Sequence, residues 1–80
     1  MRISALHPDE GPLSRGGYLV IQFDPRTGRM AVLGDLSYAD SAFEDAVADA
    51  QDATESVASE RLPLQYAVIR FDRVAAFRPV

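Results

Sequence analysis

Carboxylates are the one chemically active group this chain has in quantity: twelve Asp and Glu, against a single histidine and no cysteine. Acid–base catalysis by carboxylates needs two of them in environments that push their pKa values apart. The adjacent pair Glu44-Asp45 does not meet that need, because neighbours on a helix diverge by about 100° and both would stand in water. His7 has no nucleophile beside it, and a metal site would want further imidazoles or carboxylates at ligand spacing. No metal and no cofactor is therefore expected. All eight basic residues are arginine, so a Schiff-base lysine and the lysine of a phosphate-binding loop are both missing. Gly16-Gly17 precedes an apolar run instead of following one, which is the wrong order for a phosphate loop. The chain reads as a non-enzyme.

The acids that remain are unevenly placed. No arginine lies between Arg29 and Arg61, and that interval holds Asp35, Asp40, Glu44, Asp45, Asp49, Asp52, Glu55 and Glu60. The interval thus carries −8, and the flanks, with eight arginines and four acids, carry +4, giving the net −4. Helices ordinarily interleave opposite charges at i, i+4; the stretch YADSAFEDAVADAQDATESVASE does not. From Glu44 to Glu60 a helix rises about 24 Å. Its six carboxylates then stand roughly 4 Å apart along the axis, against ~3.4 Å between charges on one nucleic-acid strand. Two readings follow: a solvated helix face, or a nucleic-acid mimic in which Glu44, Asp45, Asp49, Asp52 and Glu55 meet a basic partner. Direct nucleic-acid binding by Arg61, Arg70, Arg73 and Arg78 with Tyr66, Phe71 and Phe77 is opposed by the net charge, and those arginines could instead pair with helix acids.

The elements that would carry these residues can be read from pattern. Eighty residues with 48% apolar content imply one domain with one core. Residues 1–16 hold Pro8, Gly11, Pro12 and Gly16 and suggest a loosely ordered arm, with a short strand at Arg2 to Leu6. GGYLVIQFDPRTGRMAVLG reads as a hairpin: Pro25 sets the first turn corner, Asp24 bonds the turn backbone, and Gly28 takes the left-handed conformation. Ser41 and Glu44 have the spacing of a capping box. On the helix they would open, Phe43, Ala46, Val47, Ala50, Ala53, Thr54 and Val57 share an apolar arc opposite the acids. Leu62 and Pro63 stop that helix. LPLQYAVIRFDRVAAFRPV completes the sheet, either turning at Asp72-Arg73 into a last strand from Val74 to Phe77 or running on as one bulged strand.

The fold expected is α+β: an antiparallel β-β-α-β-β sheet with the acidic amphipathic helix across one face. One set of alternating sheet residues is consumed by the helix. The other, assigned as Tyr18, Val20, Met30 or Ala31, Tyr66 and Val68, is left as an apolar face that the N-terminal arm covers or that forms a homodimer or partner interface. No stretch approaches the roughly 20 apolar residues of a membrane span. MRISALHPDEGP lacks the pattern of a secretory signal, so a cytoplasmic protein is expected.

In plan, the hairpin GGYLVIQF to RMAVLG, the Ala- and Asp-rich helix and the closing YAVIRFDRVAAFRP resemble the small phage-encoded anti-CRISPR proteins that act on multi-subunit type I effector complexes. The resemblance covers residues 17–80. It implies a non-enzymatic inhibitor in the bacterial host cell that binds a Cas subunit, often by placing acidic residues in a basic groove meant for target DNA. That family shares no motif from which site residues could be carried over. A HicB-like antitoxin domain is the second resemblance, with a hairpin before an acidic helix and a closing strand; GDLSYADSAF keeps Asp35-Leu36 but lacks the Pro-Gly expected beside it. A small structural or oligomerisation domain is the third reading.

Overall fold

A computed structural model describes residues 1–7, 9–10, 15–72 and 75–80. The fold is α+β, with five strands in two antiparallel sheets among the described residues. Strand β1 (Ile3–Ala5) pairs with β5 (Phe77–Pro79) in a two-stranded ribbon, and β2 (Gly17–Asp24) lies centrally between β3 (Arg29–Val32) and β4 (Gln65–Phe71). Helix α1 (Phe43–Ser59) connects β3 to β4 and packs across β2 and β4. Because both outer strands run antiparallel to β2, they are parallel to each other, so α1 is the crossover of a β-α-β unit with a strand between its two halves.

The β2–β3 hairpin closes as its turn residues dictate. Asp24 O accepts from Gly28 N at 2.8 Å, and Asp24 Oδ1 accepts from Arg26 N at 2.9 Å. Gly28 adopts φ 75°, a conformation a side chain would oppose. The Arg26 guanidinium also donates to the Asp24 carboxylate and holds its pKa below the ordinary value.

The helix begins differently from the expected capping box. A 3₁₀ turn, Asp40–Ala42, leads into it, Ala42 occupies the cap position, and no side chain caps the first turn. Ser41 thus has helical backbone, whereas an N-cap side chain needs an extended one to reach back to the free N–H groups. At the other end Leu62 N donates to Val57 O at 2.9 Å and Arg61 N to Ala58 O at 3.1 Å, with Arg61 at φ 57°. This is the Schellman arrangement, and its left-handed position normally belongs to glycine. Replacing Arg61 with Gly is expected to stabilise the protein by about 0.5–1 kcal/mol. Urea unfolding monitored by circular dichroism measures it, as a rise in midpoint at constant slope.

The face that the helix covers is the reverse of the one expected. Val20 is fully buried with Ala46 and Ala50 of α1, and Tyr18, Leu33, Tyr38, Tyr66 and Val68 surround them. Tyr18, Val20, Tyr66 and Val68 are therefore core, not a docking face. The alanine side of α1 fits these residues because it comes close enough to bury Val20, worth about 1.5–3 kcal/mol for such a side chain. Two of the tyrosines keep their hydroxyls bonded at the margin, Tyr38 to Asp49 and Tyr66 to Gln22 Oε1 at 2.8 Å. The apolar arc of α1 is as expected at Ala46, Ala50 and Val57, while Phe43 is half exposed and rests on the Tyr18 ring at 5.1 Å between centroids.

The ends of the chain depart from the single-sheet plan. The last strand pairs with β1 in register Ile3 to Pro79 and Ala5 to Phe77, and Val80 N and Leu6 N extend the ladder to Arg2 O and Ala76 O. Residues 1–7 are thus tied to the C-terminal strand and do not cover the sheet. The expected turn at Asp72-Arg73 and the start of the last strand at Val74 fall partly outside the described residues.

Candidate functional site

Helix α1 places Glu44, Asp45, Asp49, Asp52 and Glu55 on the exposed side. At 100° per residue, Glu44, Asp45, Asp52 and Glu55 lie within about 60° of the direction opposite the buried Ala46, Ala50 and Val57, while Asp49 sits on the flank. Asp49 has an internal partner: it accepts a hydrogen bond from Tyr38 Oη at 2.5 Å. Tyr38 is held in place from the other side by paired backbone bonds with Tyr18, at 2.9 and 2.8 Å. Tyr38 therefore ties the segment before the helix to both the central strand and the helix flank. The sequence reading passed over it, although a tyrosine in an extended stretch eleven residues before a helix aspartate was the available signal.

That bond has a measurable consequence. The Asp49 carboxylate stabilises the protonated phenol, with burial and the charges of Asp49 and Asp45 acting in the same direction, and the Tyr38 pKa rises to about 12. In an unfolded chain it would ionise near 10. A folded-state pKa raised above the unfolded one gives stability that is complete below pH ~10 and is lost as the pH rises toward ~12. Ultraviolet titration is expected to show a phenol ionising near pH 12, and Asp49→Asn to return it toward the ordinary value.

The carboxylates of α1 make no ion pair with an arginine among the described residues. Arg26 pairs with Asp24, Arg78 with Glu10 at 3.2 Å, and Arg70 stands between Asp72 at 3.5 Å and Asp40 at 3.9 Å. Among the described residues, then, no sheet arginine neutralises the helix. Arg70 comes nearest, reaching only the 3₁₀ turn that precedes α1.

The other candidate groups are dispersed. His7 is exposed after β1. Among the described residues no three His, Cys, Asp or Glu converge as metal ligands. An open depression beside the start of the helix is lined by Arg15, Ser37, Tyr38, Asp40 and Ser41, without a histidine to activate either serine. Of the arginine and aromatic residues considered for single-stranded nucleic acid, Tyr66 and Arg70 point to the helix side of β4, Phe71 to the opposite side, and Arg78 and Phe77 lie on the ribbon, while Arg73 lies outside the described residues. No helix among the described residues is long and apolar enough to cross a membrane. No family model, no characterised protein and no solved structure matches the chain.

Proposed function

We propose that this protein is a non-enzymatic, protein-binding inhibitor of the anti-CRISPR kind. The acidic face of α1 occupies a basic nucleic-acid-binding groove on a Cas subunit of a type I effector complex and blocks target DNA. The reading is supported chiefly by one observation: Glu44, Asp45, Asp52 and Glu55 project from a single helix face with no arginine paired to them among the described residues. Solvated acid faces on helices cost stability through like-charge repulsion at i, i+3 and i+4 spacing, a few tenths of a kcal/mol per pair. A basic groove removes that repulsion on binding, and its field speeds encounter with the acidic face. The rigid carrier suits the task, since α1 is anchored to the sheet through Ala46, Ala50 and Val57 and through Tyr38.

An affinity pulldown from cells expressing a type I effector complex tests this reading. Retention of Cas subunits by the wild-type chain is the expected result. Retention of a toxin encoded beside it would favour the antitoxin, and recovery of the chain alone would favour a small oligomerising domain. The last has its own supporting observation in the uncovered face of the sheet.

A further inference from the structure

Strand β4 is an open edge of the three-stranded sheet, and Tyr18 fixes the phase of its hydrogen bonds. Tyr18 N and O are both spent on Tyr38, on the side of β2 away from β4, so Tyr18 turns neither group toward its β4 neighbour Arg70. By the alternation of an antiparallel ladder, Gln65, Ala67, Ile69 and Phe71 bond β2, while Tyr66, Val68 and Arg70 direct N–H and C=O outward. Among the described residues no backbone group meets them there. The strand is seven residues long, its register is unbroken, and it has neither the proline nor the lysine that commonly blunts an exposed edge.

Helix α1 packs on β2 and β4, and Asp49 fixes its rotation. The Asp49 carboxylate is bonded to Tyr38, so that flank of the helix faces away from the β4 edge, and Asp45 and Asp52 lie on the same side. The other flank, turned toward the free edge, holds Val47, Gln51, Thr54 and Ala58, within about 60° of one another at 100° per residue and without a charge. Their separations of four, three and four residues are those of a helix–helix seam.

We infer that the β4 edge and this flank of α1 together form the interface of a symmetric homodimer, in which two β4 strands join antiparallel and the two helices lie side by side on one face of the continuous sheet. A two-fold axis through Val68 opposes Val68 to its own copy, Ala67 to Ile69 and Tyr66 to Arg70. The outward N–H and C=O groups then satisfy each other in about six bonds. The Arg70 guanidinium meets the ring of Tyr66, and no like charges stand opposite one another along the strand. The edge alone would accept any extended peptide; the helix flank selects a second copy. Covering it takes a partner that carries a helix at the same height over its own edge strand, which is this chain's own arrangement turned about the axis. With α1 above the gap between β2 and β4, the two helix axes stand about 10 Å apart, twice the ~4.8 Å strand spacing and within the packing distance of helices with small side chains. They run antiparallel, with Asp45, Asp49 and Asp52 of each copy on the outer flank.

The inference is independent of the acidic-helix reading, and salt separates the two. Two chains of net charge −4 repel, so screening tightens this dimer, whereas binding of a basic partner weakens. Sedimentation equilibrium of the full chain from about 5 to about 500 µM is the test. The wild type is expected to move from the 8.7 kDa monomer toward twice that mass, at lower concentration when salt is raised. Amide hydrogen exchange at the two ends of that range is expected to show Tyr66, Val68 and Arg70 protected only at the higher one. Arg70→Pro removes an outward N–H that β2 does not use, and the double variant Thr54→Glu, Ala58→Glu places charges in the seam at exposed positions. Each is expected to weaken association at least ~10-fold, with the fold checked by circular dichroism; the seam variant carries the test if the proline disturbs β4. A wild type that stays monomeric throughout would overturn the inference. Dimerisation that neither change weakens would overturn it too, and association weakened by the proline alone would refute the paired helices and with them the choice of a second copy.

Discussion

Reversing Asp45, Asp52 and Glu55 to arginine is expected to abolish binding to the basic partner, a loss of at least ~100-fold, while the circular dichroism spectrum stays that of the wild type. These three are chosen because they project from the exposed side of α1, and none forms an ion pair among the described residues. Asp49 is left in place, since its removal would release Tyr38 and mix a structural effect into a binding one. Close charge pairs across an interface couple by about 1.5 kcal/mol or more, and reversal replaces each attraction by a repulsion, so three reversals exceed the ~2.7 kcal/mol that a hundredfold loss requires. Binding of the wild type should fall steeply as salt is raised. Titration calorimetry with the captured subunit at several salt concentrations reads both effects. A triple variant that binds like the wild type would remove the acidic face from the account.

The second large effect lies in the fold, at Gly17. A Cβ built there would stand 2.1 Å from the backbone oxygen of Tyr38, and the residue has φ 146°. Strain of that backbone region costs a side-chain-bearing residue of order 1–3 kcal/mol, and the clash adds to it, because backbone is what the new methyl would meet. The chain would have to give up the pair of bonds between Tyr18 and Tyr38, and with it the anchor of the segment entering α1. Gly17→Ala is therefore expected to cost about 3 kcal/mol or more, a large share of the stability of a small domain. Gly16→Ala is a useful comparison: Gly16 has φ 76° but does not begin β2. Chemical denaturation of both variants measures the difference, and a Gly17→Ala protein as stable as the wild type would show that the Tyr18–Tyr38 contact does not hold the helix entry.

Gly17 also marks where the sequence was and was not legible. The pair Gly16-Gly17 could be excluded as a phosphate loop, but its purpose, close approach of two backbones, depends on Tyr38, which lies twenty-one residues away. DPRTG specified its hairpin because each turn position has its own steric and hydrogen-bonding demand, and α1 followed from the spacing of its alanines and valines. The acidic side of the helix came with that periodicity. The side of the sheet that α1 covers did not, because both sets of alternating residues in β2 and β4 are apolar. The bulkier set, Leu19, Ile21, Phe23, Ile69 and Phe71, was given to the helix, whereas an alanine-rich helix packs on Val20 and Val68. Which side a crossover helix takes is governed by the handedness of the β-α-β connection, a property of the three-strand arrangement that alternation in one strand does not encode. The pairing of β1 with β5 joins the two ends of the chain, and no short-range pattern announces a contact of that separation.

The reversal has a consequence for function. With Tyr18, Val20, Tyr66 and Val68 in the core, the molecule presents two unlike surfaces on opposite sides: a charged helix and a neutral apolar sheet. Two surfaces of such different character can be used at once.

An equilibrium gel-shift titration of type I effector complex, target DNA and this protein tests the central claim most directly. If the acidic helix stands in for DNA, inhibition is stoichiometric, the apparent affinity for target falls in proportion to the protein added, and excess target DNA restores effector binding. Inhibition that excess DNA does not relieve under equilibrating conditions would place the bound site outside the groove, and inhibition at far below one molecule per effector would mean turnover; either result contradicts the account.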